Sequence, residues 1–368
     1  MIDVLISKSV RTILVLLLGL FLLTLVMRVT AQNPVTTDKL PPPPPVPRLK
    51  PKPTPNPPKD SDIDVVRVTS NLVVVPVSVT DGAGQPTLGL TASDFRLEEQ
   101  GRPQQIAHMG DPEQTPLAIA VLLDVSGSVE ARFEFERESA ARFLKQVLKT
   151  GDRAALFAID QEPRMESGLD TAAGTTRRLM SMNPAKNATA FYDTVVEAAR
   201  YLTRTTPTEQ RRVILVISDG EDNFSEKIKN AIGATQELQN SVAPQTRRWI
   251  YDRMVVEVQK ELQKADATFY SINPSGPGLR LNVISQRAQD SMEQLATSTG
   301  GNSFVPEKLE DLDAVFRRIA AELRSQYLLQ YYSKSEAPGG TYLTIGVTLP
   351  QRVDLRVRAR QGYYVKRK

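Results

Sequence analysis

The chain has 368 residues, 40% of them hydrophobic and 24% charged, enough to bury at least one substantial core and to suggest about two domains. Lys and Arg exceed Asp and Glu by only four, and half of that excess lies in the first 31 residues (Lys8, Arg11 and Arg28 against Asp3), which leaves too little positive charge to argue for nucleic acid. With no cysteine, the chain has no disulfide, thiolate metal site, cysteine nucleophile or lipid-modified cysteine, and a single histidine, His108, excludes a His-rich zinc site.

Residues 1–31 read as a targeting segment. Lys8 and Arg11 precede the apolar run Thr12 to Met27, and Val29-Thr30-Ala31 offers the small residues that a signal peptidase reads. The alternative is an uncleaved anchor through residues 12–27, although the run is shorter than the roughly 20 residues of a spanning helix. Either reading puts the remainder outside the cytoplasm: periplasmic, attached to the cell envelope, or secreted. Residues 32–60 carry Pro41 to Pro45 and then Pro47, Pro51, Pro53, Pro55, Pro57 and Pro58, a composition that favours an extended polyproline spacer over helix or sheet.

From residue 61 to 112 the pattern becomes β. Residues 65–80 are rich in β-branched side chains, with Val73, Val75, Val77 and Val79 on one face, and Pro76 marks an edge or a bulge. A turn at Asp81-Gly82-Ala83-Gly84 and a short strand from Phe95 to Glu98 follow. Residues 327–368 read the same way: Tyr327 to Tyr332, a Gly339-Gly340 turn, Tyr342 to Thr348, then Arg352 to Arg360. In that last run Val353, Leu355, Val357 and Ala359 alternate with Arg352, Asp354, Arg356, Arg358 and Arg360, which predicts one buried face and one basic solvated stripe. Isolated hairpins are marginal, so the two ends are expected to form one small β-sandwich around an inserted domain.

The inserted domain spans 113–326 and alternates strand and helix. Ile119 to Leu123 is a continuous apolar run, as in a strand buried on both faces of a parallel sheet. It ends in Asp124-Val125-Ser126-Gly127-Ser128. Ala140, Phe143, Leu144, Val147 and Leu148 mark the next helix, stopped by Thr150-Gly151-Asp152. Ala154 to Ile159 is the second buried strand, Thr175 to Met182 and Ala190 to Leu202 are helices, and Val213 to Ile217 is a strand ending in Ser218-Asp219-Gly220. A strand at Ala267 to Ile272 and helices near 285–298 and 308–325 complete a doubly wound, mostly parallel α/β sheet. Between Asp219 and Ala267 one helix would suffice, yet 47 residues intervene. Two helices are expected there, 225–240 and 245–264. The second has a stripe of Ile250, Met254, Val258 and Leu262, with Trp249 and Val255, either packed on the domain or shaping the face beside Asp219. Trp249 reads more readily as a buried helix residue than as a partner's anchor.

One carboxylate and two hydroxyls on the turn after a buried strand can cap the following helix or hold a hard cation such as magnesium, which takes oxygen ligands. Asp219 ends a second buried strand, and Thr189, in Thr189-Ala190-Phe191-Tyr192-Asp193, adds a hydroxyl between them. Asp-x-Ser-x-Ser, then this Thr, then Ser-Asp-Gly, in that order after apolar strands, resembles the von Willebrand factor type A domain and its metal-ion-dependent adhesion site. The flanking LTASDFRLEEQGRPQQI, SQYLLQYY and RVRARQGYYV resemble the acidobacterial-type exported members of that family. The resemblance implies a site of Asp124, Ser126, Ser128, Thr189 and Asp219 holding Mg2+ or Mn2+, with one coordination position left for a Glu or Asp carboxylate of a protein partner.

On that reading the chain is an exported binding or adhesion protein and not an enzyme. A cation held by two carboxylates and neutral hydroxyls keeps positive charge for an incoming acid. No histidine stands near Ser126 or Ser128 in sequence, the second Asp of a dehalogenase-type phosphatase is replaced by Ser126, and there is no glycine-rich phosphate loop. Two alternatives remain: an envelope assembly module that binds through the proline-rich segment or the inserted helices without metal, and a hydrolase using the cation to activate water. The sequons at Asn187 and Asn223 lie on the proposed metal face and are discounted.

Overall fold

The computed structural model describes residues 71–366 apart from 186, 234 and 278–282. The targeting segment, the proline-rich segment and the part of the first predicted strand before residue 71 lie outside the described residues. Among the described residues, no helix is long and apolar enough to cross a membrane.

The central sheet has six strands, ordered β10-β9-β8-β5-β6-β7: β5 (Leu117–Asp124), β6 (Arg153–Ile159), β7 (Arg164–Asp170), β8 (Arg211–Ile217), β9 (Ala267–Ile272) and β10 (Ser303–Phe304). Every pairing is parallel except β6 with β7, an antiparallel edge strand with register shifts. The alternation of β5 explains its unbroken apolar run. Leu117, Ile119, Val121 and Leu123 pack under α1 (Phe133–Val147), α2 (Ala172–Met180) and α8 (Leu312–Ser325). Ala118, Ala120 and Leu122 face the opposite layer, α3 (Phe191–Thr205), α6 (Pro244–Lys264) and α7 (Val283–Thr299). Both faces are covered, so alternation of polar and apolar residues is lost. This is the doubly wound α/β fold expected.

Both ends of the chain supply the flanking β structure. β1 (Leu72–Thr80) pairs antiparallel with β11 (Tyr327–Tyr332) and β13 (Arg356–Ala359), and β11 in turn with β4 (His108–Gly110). A second sheet joins β2 (Arg96–Glu99), β3 (Arg102–Gln104), β12 (Tyr342–Thr348) and β14 (Gly362–Tyr364). The two sheets share a core of Val73, Val75, Val77, Val79, Phe95, Leu97, Leu329, Tyr331 and Ile345, which makes them a small sandwich. Pro76 lies in a strand that is interior to its sheet. β13 covers only Val77–Thr80, so one flank of β1 is edge-like at the proline.

The predicted basic stripe is corrected. Arg352 to Leu355 precede the strand rather than extend it, and Val353, expected inside, is 94% exposed. Arg360 is buried, donates from Nη2 to the Val74 carbonyl at 2.7 Å and pairs with Asp266, while Arg358 pairs with the buried Glu322. Glu322 also accepts from the Tyr270 hydroxyl at 2.8 Å. These arginines face the α/β domain instead of water, because the sandwich is docked on that domain and its outer face is partly an internal surface.

The long connection after β8 holds α4 (Glu226–Ile232), α5 (Gln236–Ser241) and α6. The first of the two expected helices is broken at Gly233, which adopts φ +89°. Met254, Val255, Val258 and Leu262 are buried and Ile250 packs beside them, so α6 is the layer helix a β8-to-β9 crossover requires. Trp249 is the exception to its stripe. It is 58% exposed, with Arg253 stacked over its ring.

Candidate metal centre

The sheet changes winding direction between β5 and β8: the chain passes from β5 to β6 on one side and from β8 to β9 on the other. The crevice at the carboxyl ends of such strands is where open α/β sheets bind ligands. Asp124 closes β5 there and is fully buried. Its Oδ1 accepts from the Ser126 backbone N–H at 2.9 Å, and its Oδ2 accepts from the Ser218 hydroxyl at 2.7 Å. Ser126, also buried, opens the short turn Gly127–Val129, on which Ser128 sits; the side chain of Ser128 lies outside what is described.

Asp219 follows Ser218 directly. Its Oδ1 accepts from the Glu221 N–H at 3.2 Å, and Gly220 turns the chain with φ +76°, where a Cβ would come within 2.8 Å of Met292. Thr189 is buried on a loop sewn to its neighbours. Its N–H donates to Asn223 Oδ1 at 2.9 Å, and its carbonyl accepts from Asn223 and Phe224, both at 3.1 Å. The same loop is tied to the ends of β5 and β6: Ala185 N–H donates to Val125 O at 2.5 Å and Ala190 N–H to Asp160 O at 2.8 Å. Asn187 Nδ2 adds a bond to Asp160 Oδ1 at 2.9 Å. The structure thus brings the backbone positions of all five predicted residues to one sheet edge, on three loops bonded to one another.

The electrostatics of this edge centre on the buried Asp124 carboxyl. Burial, and then the neighbouring Asp219 carboxylate, push the Asp124 carboxyl above the usual carboxylate range; the bonds from Ser218 and Ser126 pull against them. A dication beside Asp124 and Asp219 would offset both the burial of Asp124 and its repulsion from Asp219, and buried hydroxyls would supply neutral oxygens beside it. Among the described residues no group of three or more acidic, histidine or cysteine side chains could hold a metal. A cation here would therefore rest on two carboxylates and on hydroxyls, and the donor set is all oxygen, as magnesium or manganese prefers.

Several residues of this edge are not evident in the sequence. Ser218 belongs to the Ser-Asp-Gly motif, but only the fold shows that it spans from β8 to Asp124. Arg132 Nε donates to Glu136 Oε1 at 2.7 Å, and its Nη2 lies 3.6 Å from Asp219 Oδ2. Glu136 is fully buried, and its carboxyl is pushed up to about 8, by burial first, against the pull of Arg132. Asp222 is also buried. It accepts from the N–H groups of Tyr192, Phe224 and Ser225 and from the Ser225 hydroxyl, and burial raises its carboxyl to about 6. It holds the start of α3 and the insertion together. Beyond it, a cavity of about 410 Å³ opens between Gly220–Asp222, the inserted helices and α7, with Tyr251, Arg247 and Arg287 on its wall.

The profile described as von Willebrand factor type A domain matches residues 119–221, which run from β5 through the last of the three loops. That stretch of the chain carries a von Willebrand factor type A domain. Solved structures with a similar course include BatB from Bacteroides thetaiotaomicron, at 16% identity and TM-score 0.38, covering 55% of this chain and 97% of that one. The von Willebrand domain of the type V pili tip protein Mfa5 from Porphyromonas gingivalis is similar at 16% identity and TM-score 0.41, covering 56% and 94%. Proximal thread matrix protein 1 from the mussel byssus, with a zinc-occupied MIDAS motif, gives 14% identity and TM-score 0.42, covering 62% and 50%. No curated protein matches the chain. In this chain the A-type domain carries a three-helix β8-to-β9 connection and is flanked by the sandwich built from both chain ends.

Proposed function

We propose that the A-type domain holds one Mg2+ or Mn2+ at Asp124, Ser126, Ser128, Thr189 and Asp219, and that the cation is completed by a Glu or Asp carboxylate of a protein partner. The observation that carries this reading is the pair of carboxylates at the switch point, Asp124 raised by burial and by Asp219, set among buried hydroxyls. Asp124 and Asp219 supply the charge that draws the cation, while Ser126, Ser128 and Thr189 supply neutral oxygens that leave it electrophilic towards a further acid. When bound, such an ion would supply Lewis acidity towards that acid. The chain's own part is to preorganise the loops: the backbone bonds of Thr189 and Ala185 fix the hydroxyl-bearing loops before any partner arrives.

The role is binding, not turnover. In this reading residues 1–31 export or anchor the chain, residues 32–60 project it, and the protein works in the envelope or outside the cell, in keeping with the acidobacterial-type relatives its flanks resemble. The test is a pull-down with the full-length protein from the envelope fraction of its source, in Mg2+ and in EDTA. A partner retained in Mg2+ and lost both in EDTA and on Asp124→Ala supports the reading; a partner retained unchanged in all three lanes sinks it.

A further inference from the structure

We propose that Arg132 is a built-in competitor for the cation at Asp219, so that it sets how tightly this A-type domain takes up metal. The inference rests on the cation reading above and concerns a residue outside the family motif. Arg132 lies at the start of α1, one turn beyond Ser128, with its side chain 20% exposed. Two contacts hold it. Nε donates to Glu136 Oε1 at 2.7 Å, a bond to a carboxylate that is itself fully buried, and this fixes where the guanidinium points. Nη2 is buried and makes no hydrogen bond among the described residues, yet stands 3.6 Å from Asp219 Oδ2.

That geometry is an attraction without a committed bond. Asp219 is one of only two carboxylates assigned to the cation, and a fixed positive charge beside it draws on the same lone pairs. A dication held at Asp219 would also face the Arg132 guanidinium, and like charges in a site screened from water repel strongly. Arg132 is unable to leave freely, because Glu136 keeps it in place and an unpaired buried Glu136 would be costly. Metal uptake is therefore weaker than the five ligand residues alone would give. An incoming carboxylate, facing both the cation and the guanidinium, recovers the lost affinity, so that Arg132 favours loading the metal together with the acid.

The experiment is isothermal titration of Mg2+ and of Mn2+ into the full-length protein, wild type against Arg132→Met and Arg132→Lys, with thermal melting in EDTA to confirm folding. Arg132→Met is expected to bind both ions about tenfold or more tightly, since it removes the nearby charge, while Arg132→Lys stays within about threefold of wild type. If Arg132→Met does not fold, the double variant Arg132→Met, Glu136→Leu removes both buried charges and carries the same expectation. Equal or weaker binding by the folded Met variant, with wild type binding measurably, overturns the competitor role and leaves the cation site standing. No binding by wild type or by any folded variant overturns the cation site and this inference with it.

Discussion

Glu136 offers the sharpest test of the electrostatics at the sheet edge. Its carboxyl rises from 4.5 to about 8 because the side chain is fully buried, and Arg132 only partly offsets that burial. Among the described residues its Oε2 has no hydrogen-bond partner. An acid whose folded pKa lies above its unfolded value binds more protons when folded, so stability is highest below the unfolded value and is lost as pH rises towards the folded one. At about 1.4 kcal/mol for each pH unit, the ionised carboxylate costs on the order of several kcal/mol above pH 8, reduced in practice by local relaxation. Urea unfolding of the metal-free protein at pH 5, 7 and 9 is expected to show stability falling between pH 5 and pH 8 and levelling beyond it. Glu136→Gln keeps an acceptor for Arg132 Nε and removes the charge. Its profile should be flatter and its stability at pH 9 higher than wild type by at least about 1 kcal/mol. If Glu136→Gln were instead less stable at pH 9 by several kcal/mol, as when a well-formed buried ion pair is broken, the reasoning would be refuted.

Other substitutions separate structure from binding. Asp222→Ala strips the acceptor from the N–H groups of Tyr192, Phe224 and Ser225, and chemical denaturation should report a loss of about 2 to 4 kcal/mol as these donors are left unpaired. Trp249→Ala, at an exposed site, is expected to change unfolding free energy by less than about 0.5 kcal/mol; a larger loss would mean that the indole packs on the domain.

The doubly wound domain was legible because its strands are apolar without alternation and each is followed by a helix-period stretch. Ile119 to Leu123 and Val213 to Ile217 needed no tertiary information. The placement of Asp124 and Asp219 followed from the same strands, since each is the first acid past a buried run. What escaped was set by partners distant in sequence. Ser218 reads as an ordinary turn residue until β5 and β8 pair. Arg132 and Glu136 stand four apart with nothing in the sequence to mark them, and only the fold buries the acid and turns the arginine to Asp219. Arg358 and Arg360 alternate like a surface stripe, yet the surface they line is docked on the A-type domain. β7 was missed because Arg164–Asp170 is a half-exposed edge strand with irregular register and little β-branched character. Trp249 shows the reverse error: it falls within an apolar stripe, but α6 is longer than the sheet it covers, and its first turns extend past the core.

The central claim is that the three bonded loops hold a divalent cation. Mn2+ binding to the full-length protein, followed by electron paramagnetic resonance with Mg2+ as competitor, tests it most directly. One ion per chain, displaced by Mg2+ and lost in Asp124→Ala and Asp219→Ala variants that still unfold cooperatively, is the predicted result. An ion bound equally well by wild type and both variants, or no ion bound by the folded wild type, would contradict it.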